Sequence, residues 1–344
     1  MFWFAIATLS PALLIAGASL WGGLLSYAAL AMVTLVVMVL DRWTDVDVPE
    51  LDEARAEVSG TRLSVALGGA HFIILPLGVW AIAASPLLTL PQAIALALAL
   101  GLFLGQISHP NAHELIHRPG RRLRMLGRAI YTSMLFGHHA SAHLRVHHVH
   151  VATQQDPNSP RPGEGFYRFW PRAWIGSFRA GLAAETRVRA GRAGWQHPYV
   201  GYCCGAAGAL AIAAMLAGVR GVVVFVLVAA YAQMQLLLAD YVQHYGLRRA
   251  RRADGRVEPV GPQHSWNAPQ WYSSAMLLNA PRHSDHHLHP GRCFPALKLD
   301  GDTMPVLPRS MPVMCMIALI PPLWRQIMDP RAARWRQREW QDAP

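Results

Sequence analysis

Charge is missing from two long stretches of this 344-residue chain. Residues 1–40 contain no Asp, Glu, Lys or Arg, and neither do residues 63–112. Helices of soluble domains keep a polar face, so these runs exclude an ordinary soluble enzyme. Each is long enough for two membrane spans of about 20 residues. Cysteine is also scarce. Cys203, Cys204, Cys293 and Cys315 form no CxxC pair, which argues against a disulfide framework and predicts free thiols packed as small hydrophobes. With no CxxC pair for iron–sulfur or rubredoxin iron and no GxGxxG dinucleotide fingerprint, electrons are expected to come from a partner. The N-terminus lacks the basic region of a cleaved signal peptide, and its first apolar run is expected to be a retained span. With 53% hydrophobic and 15% charged residues, the composition excludes a disordered chain.

What remains is an all-α integral membrane protein of one domain, 1–344. Its apolar runs predict six spans in three hairpins, near residues 2–16, 23–40, 65–84, 87–107, 199–219 and 222–238. The Gly-rich stretch 17–23, Ser85-Pro86 and Arg220-Gly221 are the expected turns. Three hairpins put residues 41–63, 108–198 and 239–344 on the same side as the N-terminus. Between Arg118 and Trp195 there are 13 Arg against 3 acids, and Arg248, Arg249, Arg251 and Arg252 follow the last span. The positive-inside rule makes this side the cytoplasm, as in a bacterial inner (plasma) membrane. The arginines are read as a topological signal that also meets anionic membrane lipid, not as a nucleic-acid site. The run Met311 to Trp324 is too short to span and is expected to be an interfacial or core segment.

The 17 histidines carry the chemistry. His113 and His117 in HELIH are four residues apart, on one helical face, and can grip one metal. HLRVHH gives His143, His147 and His148. HSDHH gives His283, His286 and His287. His244 lies one turn past Asp240. All lie at or just beyond span ends on one predicted side. One such pair is weak evidence; three boxes and a fourth histidine on one face predict a metal centre. Nine imidazoles exceed the need of one ion, so two metals are the natural count, and imidazole alone does not choose among iron, copper, nickel and zinc. Glu114, Asp240 and Asp285 are the nearest acids and the candidates to orient ligands. His71, His109, His138, His139, His150, His197, His264 and His289 are expected to be structural, with His138, His150 and His289 close enough to support the boxes.

At these residues the chain resembles the membrane alkane monooxygenases, the integral-membrane non-haem di-iron hydroxylases related to fatty-acid desaturases. The likeness is carried by HELIHR at His113 to Arg118, HHVHVATQQDPNSPRPGEGFYRF at His147 to Phe169, DYVQHYGL at Asp240 to Leu247, and APRHSDHHLHP at Ala280 to Pro290. It implies a cytoplasmic histidine-rich cap holding two iron ions on His113, His117, His143, His147, His148, His244, His283, His286 and His287. It also implies hydroxylation of the terminal methyl of medium- or long-chain n-alkanes with O₂. Electrons would come from a rubredoxin, or a ferredoxin-type donor, and its NAD(P)H-dependent reductase. The second box departs from the family's EHNRGHH: here it reads Ala142-His-Leu-Arg-Val-His-His, with the histidine spacing kept. The xylene and cymene methyl hydroxylases use similar boxes, so an alkyl-aromatic substrate is the alternative. A lipid acyl desaturase shares the boxes but not the longer strings. An intramembrane zinc protease would use HELIH with Glu114 as base and leave seven histidines unexplained. A metal transporter would bury its ionisable groups within the spans. An apolar channel between the spans is expected to lead the substrate from the bilayer to the metals, its length set by bulky residues of spans 2 to 4.

Overall fold

The computed structural model describes residues 1–43, 51–252 and 254–341, with side chains up to residue 337. Residues 44–50, which carry Asp45, Asp47 and Glu50, lie outside them. The described chain is helical, with only two isolated β-bridges. Among the described residues five helices are long and apolar enough to cross a membrane: α1 (Phe2–Trp21), α2 (Leu25–Trp43), α3 (Glu53–Ala84), α4 (Leu90–His117) and, much longer, α8 (Pro198–His244). Shorter helices fill the histidine side: α5 (Arg121–Ser133), α6 (residues 138–150), α7 (Phe166–Val188), α9 (Trp271–Met276), α10 (His283–Leu288), α11 (Met311–Ala318) and α12 (Pro321–Gln341). The protein is a multi-pass membrane protein.

The boundaries differ from the sequence reading for local reasons. Helix α1 runs through Gly17 and stops at Gly22-Gly23, whose φ values of 65° and 66° make the turn. A residue with a Cβ would be strained in that conformation. Helix α3 starts a dozen residues before the apolar run, because the Asp52 side chain caps it by accepting from the Arg55 amide at 2.9 Å. The fourth span and the HELIH box are one helix, so the bilayer-crossing element itself delivers His113 and His117.

Helix α8 has 47 residues, about 70 Å if straight, against a hydrocarbon core of about 30 Å. It is broken at Ala217 and Gly218, where Gly218 has φ 58°. A Cβ on Gly221 would collide with the Ala213 carbonyl oxygen, eight residues earlier; a straight helix would hold those positions about 12 Å apart. The chain therefore turns back sharply, three residues before the predicted Arg220-Gly221 turn.

The core joins α4 to the second half of α8. Phe103, Leu104, Ile107 and Leu237 are fully buried, and the Gln235 side chain donates to the Gly101 carbonyl at 2.8 Å. The segment Met311 to Trp324 is a core element: Met311, Met314, Ala318 and Trp324 are buried. All four cysteines are free thiols.

Candidate metal centre

The nine singled-out histidines converge in two adjoining groups. The ligand atoms of His113, His117, His143, His148 and His286 lie within 4.8 Å of one another, as do those of His147, His244, His283 and His287. In the first group His143 Nε2 is 2.8 Å from His113 Nε2, 3.1 Å from His117 Nε2 and 2.9 Å from His148 Nε2. His286 Nε2 is 3.2 Å from His148 Nε2. In the second, His283 Nε2 is 3.1 Å from both His244 Nε2 and His287 Nε2. A neutral imidazole offers one N–H, so single N–H···N bonds do not explain why His143 Nε2 meets three other Nε2 atoms at once. Donors held about 2.1 Å from one ion and at right angles would sit about 3 Å apart, which is the observed spacing. His147 Nε2 is buried without a protein partner. The donor sets fit one metal ion each.

The division between the groups depends on a π-turn. Residues His143–His147 form one within α6, so the backbone bonds there run i→i+5 rather than i→i+4, and residues five apart face the same way. His143 and His148 therefore share the first group, while His147, expected beside His143 at i+4, faces the second. The His143 and His147 rings still stack at 5.1 Å, so one short segment serves both. Helix α10 divides likewise, with His286 going to the first group and His283 and His287 to the second. A second π-turn, Leu104–Ser108, precedes HELIH. Strained backbone flanks the boxes: Leu135, Ala152, Leu278 and Asn279 have positive φ, each costing about 1–3 kcal/mol unless the surroundings hold it.

Burial keeps most of these rings neutral, the form that binds metal. Desolvation first, and then neighbouring histidines, push His143, His148, His283, His286 and His287 well below the ordinary imidazole range. His147 differs. Burial lowers it, but the charge and hydrogen bond of Asp156, with the charge of Asp240, outweigh burial and raise it. Asp156 Oδ2 is 2.9 Å from His147 Nδ1 and also accepts from the Ser159 hydroxyl at 2.7 Å.

The three acids singled out from the sequence have other partners. Glu114 meets Arg118 at 3.3 Å and the Cys293 thiol, and Arg118 also pairs with Glu57. Asp240 accepts from Asn158 at 2.6 Å. Asp285 accepts from Arg292 at 2.6 and 2.7 Å and bonds His289 Nδ1 at 3.0 Å. None bonds one of the nine histidines among the described residues. Asp156 does, and the sequence reading passed over it. Its signal was a place nine residues past His147 inside the quoted string, at a Pro-Asn-Ser turn whose fold brings it back.

A cavity of about 80 Å³ touches both groups. Its polar wall includes His113, His143, His283, His109 and His139, and its apolar wall Leu236, Ala239, Leu277 and Met311. His109 and His139, expected to be structural, are thus cavity neighbours; His139 stacks on Phe136 at 5.1 Å. His138 packs on Trp174, and His71 bonds Ser108 and Ser133 at 3.0 and 2.7 Å. Ala142, Leu144 and Val146, the altered positions of the second box, are not among the residues lining this cavity.

Comparison with known proteins agrees. Residues 89–310 match the family described as Fatty acid desaturase. The chain is 34% identical over 292 residues to an alkane 1-monooxygenase of Ectopseudomonas oleovorans, covering 84% of this chain and 71% of that protein. It is 31% identical over 333 residues to alkane 1-monooxygenase 1 of Alcanivorax borkumensis, covering 93% and 80%. A xylene/toluene monooxygenase hydroxylase component of Pseudomonas putida is 28% identical over 257 residues, covering 72% and 66%. Two histidine groups beside an apolar cavity, in a chain similar to these proteins over most of its length, place it in the alkane 1-monooxygenase branch of the fatty acid desaturase family.

Proposed function

We propose that this protein hydroxylates the terminal methyl group of n-alkanes to primary alcohols, with O₂ and a rubredoxin-type electron donor. The observation that carries the reading is the cavity: apolar on one wall, and bounded on the other by His113, His143 and His283 from both metal groups. Two iron ions, one on each histidine group, would supply O₂ activation, with two electrons and two protons consumed and one oxygen leaving as water. The residues do the rest. Neutral histidines hold the metals without adding charge, and Asp156 fixes the His147 ring and offsets part of the positive charge. Leu236, Ala239, Leu277 and Met311 hold an alkyl end, each buried CH₂ contributing about 0.8 kcal/mol. The alkane reaches this cavity through a channel between the spans.

The chain is one domain with six crossings, α8 contributing two, one on each side of Gly218. Its catalytic segments, 108–198 and 239–344, face the cytoplasm of a bacterial inner membrane. His148 is partly exposed beside Val149, whose carbonyl accepts from Arg249 at 3.1 Å. Arginines around this edge steer an acidic carrier by charge.

The test is product analysis by gas chromatography from cells expressing this chain with a rubredoxin and its reductase, given octane, hexadecane and p-xylene together. Predominant 1-octanol or 1-hexadecanol supports the reading. Predominant 4-methylbenzyl alcohol supports the alkyl-aromatic alternative, which the xylene/toluene relative favours.

A further inference from the structure

A groove of about 700 Å³ lies away from the histidines, between α3, α5 and the first half of α8. Along α8 it runs from Pro198 to Leu216, roughly 27 Å at 1.5 Å per residue. One bilayer leaflet is about 15 Å of hydrocarbon. Leu75 and Val79 of α3 and Ile212 of α8 make its walls apolar, and its polar groups gather at one end: Arg128, Thr132, Ser133 and Tyr202. Two of the three hydroxyls there are already engaged, Tyr202 with Ser141 at 2.8 Å and Ser133 with His71. Arg128 is not. It is half-buried and makes no hydrogen bond or ion pair among the described residues. The surrounding charge has the same sign. Arg189, lowered by burial and then by its cationic neighbours, lies near Arg145, Arg192 and Arg128. Glu185 beside them is taken by Arg145 at 2.8 Å and by Arg189.

We infer that this groove binds one anionic phospholipid, with an acyl chain along the α3–α8 wall and the phosphate at Arg128. The occupant must be apolar for most of its length and anionic at one end. The groove lies on membrane-crossing helices, where lipid is the surrounding amphiphile. Basic pockets between membrane helices recognise anionic head groups in this way. The local excess of arginine over Glu185 suits a phosphodiester rather than the neutral alkane that the catalytic cavity takes.

The groove can be filled without touching the metal site. A Cβ added at Gly208 meets nothing within 4 Å, so Gly208→Phe projects a ring into open space. The full chain, purified in detergent, would be incubated with equal amounts of dioleoyl phosphatidylglycerol and dioleoyl phosphatidylcholine, with hexadecane also present, and read by native mass spectrometry. We expect one phosphatidylglycerol retained per chain in preference to phosphatidylcholine. Arg128→Gln should cut that preference about fivefold, as expected for one arginine near an anionic surface, Arg128→Lys should keep most of it, and Gly208→Phe should abolish retention. Equal retention of both phospholipids by the unaltered chain, or an unchanged preference in Arg128→Gln, overturns the inference. So does retention of hexadecane instead, which would make the groove a substrate antechamber. If Gly208→Phe does not fold, the two Arg128 variants decide the matter.

Discussion

Asp156 Oδ2 lies 2.9 Å from Nδ1 of His147, the only carboxylate bonded to any of the nine histidines among the described residues. A ligand oriented in this way binds metal more tightly, and loss of the partner typically costs 10–100-fold in affinity. Asp156→Asn should therefore fold but lose metal from the second group at a chelator concentration about 10–100-fold lower. Metal content per chain after graded dialysis is the readout. Unchanged retention would remove Asp156 from the centre.

The two donor sets predict two metal ions per chain. His147→Ala leaves three of four donors in one group and His148→Ala four of five in the other. Elemental analysis should show about two irons in the unaltered chain and a deeper loss in His147→Ala. If His148→Ala lost both ions while His147→Ala lost none, the assignment by the π-turn would be wrong.

Arg118 is buried between Glu114 and Glu57. Removing one partner of a buried pair leaves an uncompensated charge and costs about 3–5 kcal/mol. Arg118→Gln should lower the melting temperature markedly, with Arg118→Lys intermediate. A melting temperature within a degree of the unaltered protein would show that the pair is not stabilising.

The metal-stripped protein should be acid-sensitive. Burial holds His138 at about 4 and several box histidines well below 6.5. In the unfolded chain they take protons near 6.5. Their contribution is complete above that pH and is lost as the pH falls from 6.5 through the folded values. The melting temperature of the stripped chain should drop between pH 7.5 and 5, and His138→Gln should make the fall shallower. A flat profile would contradict burial of neutral rings.

Substrate choice should follow the cavity wall. Ala239→Phe projects into a space of only about 80 Å³, so alkane hydroxylation should fall more than tenfold with metal content retained. Leu144→Asn restores a residue of the usual second box at a position outside the cavity lining, and should leave the ratio of 1-octanol to 4-methylbenzyl alcohol unchanged. A shifted ratio in Leu144→Asn would give the second box a role in specificity that the geometry does not.

The membrane plan was legible because bilayer thickness acts on uninterrupted runs of sequence, so Phe2 to Leu40 and Leu63 to Ile107 declared themselves. The turn in α8 was placed late, at Arg220-Gly221. The break needed the left-handed backbone of Gly218, and hydropathy does not register φ. Asp156 was missed because its distance from His147 is set by the turn through Pro157, Asn158 and Ser159, not by helical spacing.

The sequence by itself determined an apolar, helical, multi-pass chain with nine histidines outside its apolar runs, since hydrophobic length and i, i+4 spacing are local properties. The tertiary structure decided how those histidines divide into five and four, that Asp156 rather than Glu114, Asp240 or Asp285 bonds one of them, and that the altered positions Ala142, Leu144 and Val146 of the second box stand clear of the cavity. Each depends on a π-turn of one extra residue or on the approach of segments far apart in the chain, and a change of one residue in a helical turn rotates every following side chain to another face.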